Sequence, residues 1–384
     1  MWRQILQFIF GSFMIAQSWA TDWTLYKIGG RDYVSIDNLA KFYNLGLVNR
    51  ANNAFTVISG HRSLRGSAGS VEFYINGLKF NLSYPIAEVD GKLVVSRMDL
   101  TKVIEPVLRP SKIKGAEEID TIVLDAGHGG HDRGAMSAYG CEAEFTLDVV
   151  ARTRLLLLQA GLKVVLTRSN DTFISLGERT RIANLEDHAL FISVHFNSGG
   201  LGTGLETYTL APRGVPSMMA DGPRVSDNDA CLGNGNDAQN MALATATHAS
   251  LVIKSRLYDR GIKRARFVVI RDITIPGVLI EGGFLSNAND ARLIASPAYR
   301  QLMASCILQA VQNYRRALAA PLQPVVVLQT KPMSPEPSED PKPVVSGRNP
   351  PKLSANPKEN VAEPVVVVPT VPASPPDPEP NAEK

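Results

Sequence analysis

The sequence predicts an α/β domain, a twisted, mostly parallel sheet with helices on both faces. A small α+β module precedes it and a disordered Pro-rich tail follows. Three observations carry this. Short continuous apolar runs, TIVLD (121–125), KVVLT (163–167), ALFISVH (189–195), LETYTL (205–210), FVVIR (267–271) and GVLIE (277–281), fit strands buried on both faces. Helical stretches at about 142–160, 175–187, 238–260 and 297–318 alternate with them in the order βαβαββαββα. Of 25 prolines, 17 fall at 321–384 among Glu, Lys, Ser and Val, a composition that cannot bury enough apolar surface to fold.

From the N-terminus, residues 1–20 predict a cleaved secretory signal: Arg3, an apolar core at 5–16, and a Ser-Trp-Ala cleavage site ending at Ala20. The apolar core is short of the roughly 20 residues that span a bilayer. No later segment reads as a transmembrane helix, so the expected product is exported and has no membrane span after cleavage. A net charge of +3 with 20% charged residues makes no electrostatic case for nucleic acid. Three cysteines, Cys141, Cys231 and Cys306, exclude a disulfide-rich scaffold, and Cys141 and Cys306 are expected to pack as small hydrophobes.

Residues 21–110 read as the α+β module. A GG turn, an Asn-Gly turn in VEFYINGLKFNLSYP and an Asp-Gly turn in AEVDGKLVVS each separate apolar stretches, the mark of hairpins. DNLAKFYNL has helical spacing, with Asp37 as the expected N-cap. The one histidine of this stretch, His61, reads as a surface residue. Residues 111–118, within the charged PVLRPSKIKGAEE, read as a linker, and 119–318 as the catalytic domain. Gly161 and Gly261 are expected to end the first and third helices. The Gly-, Pro- and Asp-rich segment 211–237 reads as a lid over the site or as a surface insertion. Two valine runs in the tail, at 324–328 and 364–369, read as sticky motifs or as part of a solvated spacer.

Four segments carry the chemistry: DAGHGG (125–130), CEAEFTLD (141–148), SVHFNS (193–198) and LIEGGFLSN (279–287). Three lie where an apolar strand runs out, the edge at which an open α/β sheet presents ligands. His128 follows the first strand between glycines that allow a sharp turn; Asp125 before it either orients a ligand or caps the turn. His195 closes its strand. Glu281 ends GVLIE, where a carboxylate is costly to bury without a partner. Glu142 and Glu144 both fall in a first helical turn, where the dipole alone favours them. Two apart, they point in different directions, and spacing does not choose between them. His131 is an alternative ligand without firm spacing, and His188 and His248 are expected to be solvated. A His/Glu/His metal set with a separate glutamate is the equipment for hydrolysing an amide with water.

IVLDAGHGGHDRGA, EAEFTLDVVARTRLLLLQAGLKVVLTRSNDTFISLGERTRIAN, LFISVHFNS, GLETYTL and PGVLIEGGFLSNANDARLI, in that order across 119–316, resemble the zinc-dependent N-acetylmuramoyl-L-alanine amidases. The resemblance implies a zinc (Zn) cofactor, with His128, Glu142 and His195 as its ligands and Glu281 as the catalytic glutamate. It selects Glu142 over Glu144 by alignment on Leu147, and implies that Arg168, Asp171 and Arg179 brace the sheet. Cys141 and the length of 211–237 depart from the family's pattern. The implied activity is hydrolysis of the amide between N-acetylmuramic acid and L-alanine in peptidoglycan by an exported protein. The periplasm is expected, because the tail carries no covalent wall-sorting motif, with an extracellular location as the alternative. A zinc peptidase acting on stem peptides, or a catalytically silent cell-wall-binding protein, would use the same parts. YVSIDNLAKF, FTVIS, YINGLKFNLS and GKLVVSRMDLTKVI resemble the small module named after the N-terminal domain of copper amine oxidases, without implying copper. Its expected role is to bind wall polymer or a protein activator, or to act as a spacer.

Overall fold

Polar two-residue turns fold the N-terminal part of the chain into hairpins. The computed structural model describes residues 23–60, 62–220 and 222–319. The signal segment 1–20, His61 and the Pro-rich tail lie outside the described residues. Strands β1 (Leu25–Ile28) and β2 (Arg31–Ser35) pair antiparallel and lead into helix α1 (Ile36–Phe42). The N-cap is Ser35, whose side chain accepts the Asn38 backbone N–H, rather than Asp37. Ser35 has the extended backbone that a cap needs, whereas Asp37 already lies in the first turn and pairs with Arg50 at 2.9 Å.

A meander follows: β3 (Val48–Ala51), β4 (Ala54–Ser59), β5 (Arg62–Ser67), β6 (Glu72–Ile75) and β7 (Leu78–Asn81). Asn76 and Gly77 join the last two with φ of 52° and 82°, the positive values a two-residue hairpin turn requires. β8 (Ala87–Val89) and β9 (Lys92–Ser96) complete a small sheet in the order β1-β2-β9-β8. A helical stretch over 97–108 comes next: α2 (Arg97–Asp99), a π-helical segment (Leu100–Ile104) and α3 (Glu105–Leu108).

The remainder alternates. It runs β10 (Thr121–Ala126), the two-residue arms β11 (Met136–Ser137) and β12 (Gly140–Cys141), α4 (Glu142–Gln159), β13 (Lys163–Leu166), α5 (Leu176–Ala183), β14 (Ala189–Asn197) and β15 (Leu205–Leu210). Then come α6 (Asp237–Ser255), β16 (Asp259–Ala265), α7 (Val268–Arg271), β17 (Gly277–Phe284), α8 (Ala288–Ala295) and α9 (Pro297–Ala319). β13, β10, β14 and β17 are parallel neighbours, and β15 runs antiparallel to β17. One face buries Ile122, Leu124, Ile192, Val194 and Ile280 in a core shared with α4, α6 and α9. The other packs Val123, Phe191 and Leu279 against Ala183 of α5 and Val269 and Ile270 of α7. No described helix is long and apolar enough to cross a membrane.

Four expectations are corrected here. FVVIR is not a strand but forms α7, whose apolar residues fill the layer beneath the sheet. The strand is the charged DRGIKRA instead, and α6 ends at Ser255 with Arg256 in the left-handed conformation, not at Gly261. Charges in a strand read as solvated, yet Arg264 and Lys263 of β16 are buried or nearly so on specific carboxylates. Glu281 does not end its strand, because Gly282 and Gly283 carry β17 on to Phe284. His248 is not solvated: it is fully buried, between Thr207 Oγ1 and Asp259 Oδ1, both at 2.9 Å.

The module and the α/β part share one sheet. β7 pairs parallel with β16, Phe80 opposite Ile262, so the described strands form an eleven-stranded sheet in the order β13-β10-β14-β17-β15-β16-β7-β6-β5-β4-β3. Asp259 extends the joint by accepting the Lys79 backbone N–H at 3.0 Å. At its centre Arg264 Nη2 donates to Asp99 Oδ1 at 2.7 Å, both side chains essentially sealed from solvent. Asp99 also accepts the Ser83 N–H and the Ser96 hydroxyl, so its carboxylate is well satisfied. Asp99→Ala strands the Arg264 guanidinium and is expected to lower the unfolding free energy by about 3–5 kcal/mol in a urea titration. A loss below about 1 kcal/mol, typical of a surface pair, means the pair does not hold the joint.

Candidate functional site

The loop after β10 takes a path only its sequence permits. Gly127 donates its N–H to Val194 O, and a Cβ there would lie 2.3 Å from the His195 ring. His128 has φ of +60°, a conformation costly for a residue with a side chain. A collar of donors holds it. Arg168 donates to Ala126 O at 2.9 Å and to Gly127 O at 2.8 Å. Arg179 donates to Ala126 O at 2.6 Å and to His128 O at 2.7 Å, and Gly130 N–H donates to Asp171 Oδ1 at 2.8 Å. The three bracing residues therefore grip the His128 loop itself.

Asp125 does not orient His128. It is fully buried on Arg179 Nη1 at 2.6 Å and on the hydroxyls of Thr167 and Ser193. Burial pushes its carboxyl up, but Arg179 and the two hydroxyls outweigh this and hold it below the usual range. The orienting carboxylate is Asp132, whose Oδ2 lies 2.8 Å from His128 Nδ1 and leaves Nε2 to face inward. Sequence reasoning missed Asp132 because a polar residue in a Gly-rich run reads as ordinary loop.

Glu142 opens α4 and is 4% exposed. Its Oε1 lies 3.1 Å from His128 Nε2 and 2.8 Å from His195 Nδ1, and it accepts the Phe196 N–H at 3.0 Å. Oε2 accepts the Ala135 N–H at 2.9 Å. Burial would raise this carboxyl, yet the hydrogen bonds to His128 and His195 hold it well below the usual range. Glu144 points away, exposed, with Arg133 at 3.5 Å. The donor atoms of His128, Glu142 and His195 all lie within 4.8 Å of one another. Two imidazoles and one carboxylate suit a zinc ion with its fourth position open, so the donor chemistry fits that metal. His131 does not join them; its ring stacks on Phe173 at 4.2 Å. His188 sits exposed in a turn beside Glu117, and Cys141 is buried as a free thiol.

Glu281 stands in register with His195 across β14 and β17, and with Glu206 across β17 and β15, so the three share a face. Glu281 Oε2 is buried with no hydrogen-bond partner among the described residues. Its carboxyl is pushed well above the usual range, first by burial and then by the charges of Glu142 and Glu206, against the opposing pull of Lys263. Glu206, 1% exposed, is the opposite case. Lys263 Nζ (2.6 Å), Tyr208 OH (2.6 Å), Asn197 Nδ2 (3.1 Å) and Arg260 Nε all donate to it. Burial would raise its carboxyl; Lys263, Tyr208 and Arg260 hold it low. Glu206, Arg260 and Lys263 were missed, though a glutamate inside the apolar run LETYTL carried the same signal as Glu281.

The segment 211–237 leaves β15 at the end remote from Glu281. β15 begins beside Glu281 and runs away from it for five residues, about 16 Å. Arg266 then pins the segment through Pro212 O and both the carbonyl and carboxylate of Asp227. Among its described residues Met219 returns, its sulfur 3.3 Å from Tyr208 OH.

A family model described as N-acetylmuramoyl-L-alanine amidase matches residues 122–313, which include all four proposed site residues. The chain is similar to N-acetylmuramoyl-L-alanine amidase AmiA of Escherichia coli (strain K12), 30% identical over 245 residues, covering 57% of this chain and 84% of that protein. It is also similar to N-acetylmuramoyl-L-alanine amidase LytC of Bacillus subtilis (strain 168), 33% identical over 206 residues, 51% of this chain and 36% of that one. Among solved structures, the catalytic domain of CwlV from Bacillus (Paenibacillus) polymyxa var. colistinus aligns with 32% identity and a TM-score of 0.42, covering 51% of this chain and 98% of that domain. Gly127→Ala is expected to push the His195 ring out of the cluster and weaken retention of a bound divalent metal at least about tenfold. Competition with a chelator measures this, and unchanged retention contradicts the packing described.

Proposed function

The chain belongs to the N-acetylmuramoyl-L-alanine amidase family and is a peptidoglycan amidase; from that premise we propose that it works with a zinc ion held by His128, Glu142 and His195, and with Glu281 as the proton carrier. The observation that supports this most is the convergence of the three donor groups within 4.8 Å, beside a buried carboxylate oxygen with no partner. A zinc ion in that cluster supplies Lewis acidity toward the amide carbonyl and acidifies water.

The chain's own residues do the rest. Asp132 fixes the His128 ring through Nδ1. The backbone N–H groups of Ala135 and Phe196 fix both oxygens of Glu142. Glu281, set opposite His195, takes the proton of the attacking water on Oε2 and delivers it to the nitrogen of the leaving alanine. Its raised proton affinity suits a group that must hold that proton between the two steps. Residues 1–20 direct export, and the periplasm is the site of action.

Digestion of purified peptidoglycan by the full chain, with products read by mass spectrometry, tests this. Intact stem peptides beginning with L-alanine are expected, and a chelator is expected to stop their release until zinc is restored. Shortened peptides would place the cut within the stem and sink the assignment. Glu281→Gln is expected to lower turnover by at least roughly 100-fold without loss of bound zinc. The same substitution has a stability signature. A carboxyl whose proton affinity is raised on folding destabilises the fold above its unfolded pKa, and glutamine removes that cost. Glu281→Gln is therefore expected to raise the thermal midpoint of the metal-free protein at pH 7; a lowered midpoint contradicts the burial described.

A further inference from the structure

The Glu206 cluster holds more positive charge than it needs. One carboxylate faces two cations, and its four donors already fill its roughly four acceptor sites. Lys263 is largely enclosed, with 17% of its side chain exposed, whereas Arg260 keeps 32%. Arg260 commits Nε to Glu206 and lays its guanidinium over the Phe284 ring at 4.9 Å. Phe284 is itself fixed, because Gly202 packs so closely that a Cβ there would lie 2.3 Å from the ring. The fork is thus held, yet its Nη atoms donate to no acceptor among the described residues. Three arginines that hold loop backbone in place behave differently. Arg168, Arg179 and Arg266 each spend Nε and both Nη atoms on carbonyls, carboxylates or a thiol.

We propose that Arg260 determines substrate specificity by binding a free carboxylate of the stem peptide, on the residue following the alanine. This rests on the amidase reading with Glu281 at the scissile bond. β16 lies two strands from β17, about 10 Å at the backbone, and the Arg260 side chain reaches back across β15 to Glu206, the register partner of Glu281. For a stem peptide leaving Glu281 toward β16, an advance of at most about 3.6 Å per residue puts the carboxylate of the next residue within reach of that fork. A planar guanidinium anchored through Nε offers its Nη edge for two parallel hydrogen bonds to such a group.

The test is equilibrium binding, so that it does not depend on turnover. The full chain carrying Glu281→Ala, loaded with zinc, is titrated with a muramyl-dipeptide whose second residue has a free carboxylate, and with the analogue in which that carboxylate is an amide. Amidation is expected to weaken binding roughly 10- to 100-fold, the worth of a charge-assisted hydrogen bond. Adding Arg260→Met is expected to weaken binding of the free carboxylate by a similar factor and to bring the two peptides level; Arg260→Lys is expected to keep part of the distinction. Equal affinity for both peptides, no binding of either, or a preference that survives Arg260→Met overturns the proposal. Failure of the native chain to cleave either peptide, with the preference intact, counts against the amidase mechanism and not against Arg260.

Discussion

The rest of the site depends on one buried carboxylate set between two imidazoles. Glu142 is nearly inaccessible to solvent, and burying its charge would be costly were its two oxygens not met by Phe196 N–H, Ala135 N–H, His128 and His195. That arrangement requires three elements to end at one point: the loop after β10, the first turn of α4 and the end of β14. The loop is the strained member, since His128 adopts a positive φ. Arg168 and Arg179 meet the strain by saturating the carbonyls of residues 126–128, and Asp125 in turn neutralises Arg179. Asp125 and Arg179 neutralise each other, so removing either leaves the other buried without its charge partner.

Environment then separates carboxylates that the sequence alone would treat alike. Glu206 and Glu281 are neighbours across two strands, but the first has four donors and stays ionised while the second has an oxygen with none. Driving two nearby carboxyls to opposite protonation behaviour is how one site obtains both a fixed charge and a group able to carry a proton.

The strands β10, β13 and β14 and the helices α4 and α9 were legible because apolar runs and helical spacing specify them locally. His195 and Glu281 were legible as candidates because polar residues interrupt strongly apolar strands, and His128 because it follows such a strand in a glycine-flanked turn. Glu142 needed family resemblance, since a first-turn glutamate has an ordinary explanation in the helix dipole. What escaped has a common cause. β16, Asp132, Glu206 and the buried His248 have polar side chains matched by partners distant in sequence, and no local pattern announces such matching. The same blindness made α7 read as a strand. Nor does any local pattern announce the pairing of β7 with β16, which carries the sheet across from the module. β16 therefore serves both sides at once: Arg264 enters the joint with Asp99, and Lys263 and Arg260 turn toward Glu206 beside the site.

The central claim is that His128, Glu142 and His195 are one zinc site. Anomalous diffraction from crystals of the zinc-loaded full chain, recorded on both sides of the zinc absorption edge, tests it most directly. The account predicts one strong peak within about 2.0–2.2 Å of a ring nitrogen of His128, a ring nitrogen of His195 and a carboxylate oxygen of Glu142, with Glu281 outside that distance. A peak held by other side chains, or a cluster without one in crystals grown with zinc, would contradict it.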